Sequence, residues 1–119
     1  MGDISTPMIQ LLERYLNVTS ERHTLVTTNM ANIDTPGYRT RDIDFRAELQ
    51  KADGFGEANF QPMVHNVPGL LERPDGNDVN LDRESLLMAE TQMQFRLGIQ
   101  LVKHEFQSLL TAINEGKQG

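Results

Sequence analysis

The sequence predicts a mainly α-helical chain in which two long terminal helices pair as a coiled coil and a loop-rich segment joins them. Large apolar residues recur at helical spacing near both ends of the 119-residue chain. The stretch between the ends is rich in Gly, Pro, Asn and Asp, which mark turns and irregular chain. These observations divide the chain into an N-terminal helix with its closing corner (1–38), an irregular middle segment (39–80) and a C-terminal helix (81–119).

The N-terminal helix is predicted from about Met8 to Ile33. The stretch Asn17–Thr28 is poor in strong helix formers, so this helix is weak by itself and requires a partner. One face carries the apolar residues Ile4, Met8, Leu11, Leu12, Tyr15, Val26, Met30 and Ile33, and the polar residues Thr19, Arg22 and Asn29 interrupt it.

The segment "NMANIDTPGY" (29–38) predicts a sharp end to this helix. Thr35 precedes Pro36 and is therefore pushed out of the helical region, and Pro36–Gly37 is a strong turn signal. Gly37 suits the positive φ of a type II turn, and Tyr38 can anchor the corner by burying its ring.

The middle segment has no clear periodicity, and nine of the 17 acidic residues lie between Arg39 and Asp82, the last of them being Asp82 itself. A short strand or hairpin is possible around Met63–Val67 and Leu70–Leu71.

The C-terminal helix is predicted from Asp82 to about Glu115, with Asn80 or Asp82 as its cap and Glu84 in its first turn. Apolar residues with alternating spacings of four and three form a coiled-coil seam that should pair with Tyr15 and Val26 of the N-terminal helix. This seam comprises Phe95, Ile99, Val102, Phe106, Leu109 and Ile113.

A second apolar face lies on the same helix. At about 100° per residue, Leu86, Met93 and Leu97 fall nearly opposite the seam, and Leu101 falls to one side. Two helices bury one stripe each, so this face needs another cover. Either the middle segment folds over it, or neighbouring copies or related subunits do.

The composition excludes several classes of function. The net charge of −6 argues against a nucleic-acid surface, and the absence of cysteine excludes disulfides and Cys-based zinc sites. His23, His65 and His104 have no metal-ligand spacing, and "DGNDVNLDRE" lacks the Gly and Glu that a calcium loop requires. No catalytic motif is present, so we expect no enzyme, no cofactor and no small-molecule substrate.

The sequence has no apolar run of the length of a membrane span and no N-terminal signal-peptide pattern. Composition by itself therefore predicts a cytoplasmic protein.

The segment "NMANIDTPGYRTRDIDF" closely resembles the signature of the flagellar axial proteins, the rod and hook family, whose N-terminal helix ends in an A-N-x-x-T-P-G-Y corner. The part Arg39–Phe45 is similar to the small proximal-rod members of that family. A second segment, "RPDGNDVNLDRES", resembles the family's approach to the C-terminal helix, except that Ser85 stands where Met is more usual. The matching residues are Ala31, Asn32, Ile33, Thr35, Pro36, Gly37 and Tyr38 in the first segment, and Asp75, Gly76, Asn77, Val79, Asp82 and Glu84 in the second.

The resemblance implies a structural subunit that assembles helically into the tube of the basal-body rod. It implies export through the flagellar type III apparatus without a cleaved signal peptide, and hence a place in the periplasmic rod rather than the cytoplasm. The expected partners are copies of the chain, other rod proteins, the inner-membrane ring adaptor protein and the export apparatus.

For such a tube we expect the subunit interface to include Leu86, Met93, Leu97 and Leu101, with the amides of Asn29 and Asn32 bonding to a neighbour. Alternatively, Asn32 caps the N-terminal helix, and the two roles are compatible. The alternative functions are another short rod subunit or a soluble helical-hairpin adaptor.

Overall fold

The computed structural model describes residues 6–51 and 61–118. The mainly α-helical class with two long paired terminal helices is confirmed, and the Cα atoms extend over 71 × 25 × 20 Å. In chain order the elements are α1 (Pro7–Ala31), β1 (Arg41–Ile43), α2 (Phe45–Leu49), β2 (Val64–Asn66) and α3 (Leu81–Gln118).

Helix α1 is capped at both ends by side chains of its own sequence. Thr6 Oγ1 accepts a 3.1 Å hydrogen bond from the Ile9 amide, and Pro7 occupies the first helical position, where no amide proton is needed. At the other end Asn32 Nδ2 donates to the Thr28 carbonyl at 2.8 Å. The helix therefore ends close to the predicted position despite its weak propensity.

Helix α3 begins with Asn80, whose Oδ1 accepts from the Arg83 amide at 3.0 Å. Its 38 residues span about 57 Å, against about 37 Å for the 25 residues of α1. The two helices run antiparallel, with His23 beside Thr91 and Leu16 beside Gly98. This register brings Pro7 level with the residues near Gln107, so the last turns of α3 extend beyond Pro7.

The middle segment is more ordered than the sequence indicated. Strands β1 and β2 are antiparallel, with Asp42 opposite His65. The possible short strand around Met63–Val67 is present as β2, but it pairs with β1 and forms no hairpin with Leu70–Leu71. The chain turns at Gly69, which has φ of +80°, and leaves Leu71 at 90% exposure.

The apolar core lies between α1 and the middle segment. Val18, Leu25 and Ile43 form its buried cluster, and Phe45 packs against it. The Phe45 ring also meets the ring of Tyr15 edge to face, with centroids 5.7 Å apart. Within the described residues, the middle segment therefore covers α1 and leaves Leu86 and Met93 on α3 exposed.

The seam between α1 and α3 is rotated from its predicted position. Ile99, Phe106 and Ile113 remain 46%, 39% and 43% exposed, whereas Thr91 and Gly98 are buried against α1. Small residues allow close helix approach, so α1 packs over the line through Thr91 and Gly98 and leaves those three apolar residues to one side. Of the other expected seam residues, Val26 is buried and Tyr15, Phe95, Val102 and Leu109 are half-buried.

No helix within residues 6–51 and 61–118 is long and apolar enough to cross a membrane.

Gly98 is the point of closest approach that this packing requires. A Cβ atom there would lie 2.6 Å from Leu16 Cδ2, whereas a Cβ on Gly116 of the same helix would meet no atom within 4 Å. We expect Gly98→Leu to destabilise the monomer by about 1–3 kcal/mol through overpacking. Gly116→Leu, the matched control, should be neutral or stabilising by up to about 1 kcal/mol. Urea unfolding followed by circular dichroism measures both, and equal free energies of unfolding would contradict the packing.

Candidate functional site

Two segments that are far apart in the sequence, the corner 29–38 and the approach to α3 (73–84), dock on each other. The Gly37 amide donates to the Asp75 carbonyl at 2.8 Å, and the Asp78 amide donates to the Tyr38 carbonyl at 3.2 Å. Gly37 and Gly76 have φ of +75° and +87°, and a Cβ on Gly76 would lie 3.3 Å from Gly37 Cα. Both positions favour glycine because their φ is positive, and at Gly76 the close approach of the Gly37 backbone is a second reason.

The corner itself is a type II turn. The Tyr38 amide donates to the Thr35 carbonyl at 3.2 Å, with Pro36 and Gly37 at the two central positions. The turn sends the chain away from α1 and towards β1.

Asn77 supplies additional donors to two carbonyls of the corner that follows α1. Its fully buried side chain donates from Nδ2 to the carbonyls of Asn32 and Thr35 at 2.9 and 2.8 Å. Its Oδ1 accepts from the Val79 amide at 2.8 Å. One side chain thus joins the end of α1 to the chain that enters α3.

Arg73 adds a second link between the same two segments. Its guanidinium donates to the Val79 carbonyl at 3.1 Å and to the Ile33 carbonyl. The carbonyls of Asn32, Ile33 and Thr35 therefore receive donors from two side chains of the approach segment.

We call the contact between the segments 29–38 and 73–84 the joint. Asn29 lies at its centre and is fully buried. Its Nδ2 donates to the Arg41 carbonyl at 2.9 Å and to Glu84 Oε1 at 2.8 Å. Its Oδ1 accepts from the Tyr38 hydroxyl at 2.9 Å and from the Arg41 amide at 3.1 Å. Both donors and both acceptor positions are thus occupied within the chain.

The expectation that Asn29 bonds to a neighbouring subunit is therefore wrong, because its amide has neither exposure nor spare capacity. Asn32 does cap α1, and its Oδ1 accepts from the Thr35 hydroxyl at 3.0 Å. It is half-buried, and its contact with a neighbour stays a prediction.

A charged network extends from the joint along the interior. Asp42 accepts from Nε and Nη2 of Arg22, both at 3.1 Å, and from Nη2 of Arg83 at 2.6 Å. The Nη1 atom of Arg83 donates to Glu84 Oε2 at 2.6 Å. Two carboxylates and two guanidiniums therefore connect α1, β1 and the first turn of α3.

The surroundings of Asp42 shift its proton affinity. Burial alone would raise the pKa of this carboxyl, but hydrogen bonds from Arg22, the Ile43 amide and Arg83 outweigh it and hold the pKa below its ordinary value. Burial would lower the pKa of Arg83, and the bonds to Glu84 and Asp42 raise it instead. Both groups are held in their charged forms.

The side chains of this joint hold the segments 29–38 and 73–84 in place. Its side chains are bonded to one another, and no group of three or more His, Asp or Glu in the described parts of the chain could hold a metal ion. The histidines lie apart: His23 Nδ1 is 3.0 Å from Thr91 Oγ1, His65 Nδ1 is 3.1 Å from the Asn66 carbonyl, and His104 is exposed.

Part of the surface of α3 is apolar. Leu86 and Met93 are 69% and 70% exposed on the outer face of α3. Leu97 and Leu101, which were expected to lie away from α1, instead border an open groove of about 170 Å³ between α1, α2 and α3. The other residues that line it are Leu11, Leu12, Tyr15 and Leu49.

Sequence reasoning missed the charged network. The sequence feature that indicates this network is the presence of Arg22 and Asn29 on the apolar face of α1. A cation on a buried face requires a carboxylate, and Asp42 is the acid that β1 brings to it.

No protein-family model matches the chain. Several curated proteins do. The chain is 28% identical over 129 residues to the flagellar basal body rod protein FlgB of Salmonella typhimurium, which covers 91% of this chain and 94% of that protein. It is 26% identical to the protein of the same name from Escherichia coli (strain K12), with the same coverage. It is 34% identical over 105 residues to that of Cereibacter sphaeroides, which covers 77% of this chain and 82% of that protein.

The joint makes a prediction for Asn29. The Asn29→Asp variant keeps the shape of the side chain but loses the N–H donors to the Arg41 carbonyl and to Glu84. Its new carboxylate would also lie beside that of Glu84 and repel it. We expect a loss in the free energy of unfolding of about 1–3 kcal/mol for each buried group left without its partner. Asn17→Asp, on the exposed face of α1, is the control and should change stability by about 0.5 kcal/mol or less. Similar stability of the two variants in urea would show that the amide is dispensable.

The pKa of Asp42 predicts a pH dependence. Since folding lowers this pKa, the carboxylate stabilises the native state above its unfolded pKa of about 3.9, and the stabilisation is lost as pH falls through the folded value. Asp42→Asn should therefore be less stable than the original chain at neutral pH, and the difference should shrink below about pH 4. Urea unfolding at a series of pH values measures the difference, with exposed Asp34→Asn as control. A gap that stays constant into acid would contradict the ion pairing.

Proposed function

The chain belongs to the family of FlgB flagellar basal body rod proteins, and we propose that it forms part of the proximal rod. It is a structural subunit of the flagellar basal-body rod, as its relatives' names state for those proteins. Within that role we infer that the chain acts by packing against other subunits and not by catalysis.

The observation that carries this proposal is the exposure of Leu86 and Met93 on a chain whose joint between 29–38 and 73–84 is held by hydrogen bonds within the chain. Large apolar side chains that project from a long helix indicate a surface that another protein covers. The described part of the middle segment packs on α1, and Leu86 and Met93 remain exposed beside it. We therefore propose that Leu86, Met93, Leu97 and Leu101 contact a neighbouring subunit.

The proposed partners are copies of this chain, other rod proteins, the inner-membrane ring adaptor and the type III export apparatus. The proposed location is the periplasmic part of the rod, reached by export without a cleaved signal peptide. The absence of cysteine supports this location, since the chain is indifferent to the redox state on either side of the inner membrane.

Fractionation tests the proposal directly. The protein should be found in purified basal bodies and depleted from the cytosol of flagellated cells. A protein confined to the cytosol would instead support a helical-hairpin adaptor.

The exposed face makes a separate prediction. Met93→Glu should leave the free energy of unfolding within about 0.5 kcal/mol, because the side chain is exposed in the monomer. The same carboxylate should block incorporation into the rod, because it would be buried without a partner at a subunit contact. Gln107→Glu, an exposed position directly opposite the Gly98 contact with α1, is the matched control and should assemble normally. Normal amounts of Met93→Glu in basal bodies would show that this face is not an interface.

A further inference from the structure

The apolar residues of α3 that do not face α1 form two rows on opposite sides of the helix pair. At about 100° per residue, Leu97 and Phe106 point in opposite directions from α3, with the α1 contact between them. We name the rows by these residues. The Leu97 flank comprises Leu86, Glu90, Met93, Leu97 and Leu101, and the Phe106 flank comprises Ile99, Lys103, Phe106, Leu110 and Ile113.

The two flanks differ in shape. The Leu97 flank leads into the open groove of about 170 Å³, whose walls come from three helices. The Phe106 flank lies on α3 alone, and its four apolar residues are 39–48% exposed. Its far end, at Leu110 and Ile113, lies past the residues that are level with Pro7. One flank is therefore concave and the other is a convex ridge of similar apolar character.

The two flanks also differ in charge. Glu90 lies between Leu86 and Met93 on the helix surface, and Lys103 lies between Ile99 and Phe106. Burial, and then the negative charge of Glu90, raise the pKa of Tyr15, which lines the groove. Pairing like flanks would bring like charges together, whereas pairing unlike flanks brings Glu90 towards Lys103.

We propose that the groove at the Leu97 flank of one copy receives the Phe106 flank of a second copy of this chain. The inference rests on the proposed function, since a subunit of a rod must repeat. A contact between two different faces leaves one unused face of each kind on every pair, so copies continue to add and form a ring or a helical tube. Contact between two identical faces would stop at a two-fold dimer.

The absence of cysteine in the chain allows a direct test, because introduced thiols report only on the chosen positions. Leu101→Cys places a thiol on the Leu97 flank. It is co-expressed in turn with Ile99→Cys, Phe106→Cys or Leu110→Cys, which sample different axial offsets along the Phe106 flank. Gln100→Cys, on the back of α3, replaces the second variant in the control. Basal bodies that contain the protein are purified, treated with a short bis-maleimide linker, and analysed for covalent dimers of this chain.

The expected result is a covalent dimer in at least one mixed pair, and no dimer in any variant expressed alone or in the Gln100→Cys mixture. Dimers from Leu101→Cys alone would show two-fold pairing of like flanks and overturn the proposal. So would the absence of dimers from all mixed pairs in basal bodies that contain the protein, and in that case the rod function would stand. A protein that is missing from basal bodies in every form, including the original chain, would overturn both.

Discussion

The amide of Asn29 sets the geometry on which the rest of the molecule depends. It bonds at once to the corner through Tyr38, to β1 through Arg41 and to the first turn of α3 through Glu84. Because all its hydrogen-bonding positions are used, a different rotation of α3 or a different path of the corner would leave buried polar groups unpaired. A buried ion-pair network such as that of Asp42 and Glu84 stabilises a fold little more than well-packed apolar residues of similar volume would. Their contribution here is to allow one arrangement of the three segments and to penalise others.

This arrangement reverses the usual distribution of residue types in a globular domain. Among the described residues, ten polar or charged side chains are buried against eight hydrophobic ones. Leucines and methionines such as Leu86, Met93 and Leu71 are instead largely exposed. A subunit built to add to an assembly has reason for this division. Directional hydrogen bonds fix the internal shape of each copy, and non-directional apolar contact remains available for joining copies.

Local sequence signals predicted the elements whose causes are local. The Pro36–Gly37 turn, the Asn80 cap and the two helices follow from backbone preferences and from apolar spacing, and they are present. The docking of Asn77 on the carbonyls of Asn32 and Thr35 spans more than 40 positions of sequence, and no local rule predicts which distant segment supplies those donors. The seam was misplaced because α3 carries apolar residues on more than one side. The helices met instead at Thr91 and Gly98, which a search for large apolar residues passes over.

The internal joint and the external flanks are linked through the rotation of α3. Glu84 is bonded to Asn29 at one end of the paired region, and Gly98 packs against Leu16 nearer the other. With both points fixed, α3 cannot turn about its own axis relative to α1, so the directions of the Leu97 and Phe106 flanks are fixed as well. In a contact between unlike faces, the angle between those faces determines how each copy is rotated relative to the one before it. A hydrogen-bond network within each copy therefore governs the curvature of the proposed assembly, because it holds the two joining surfaces at one angle.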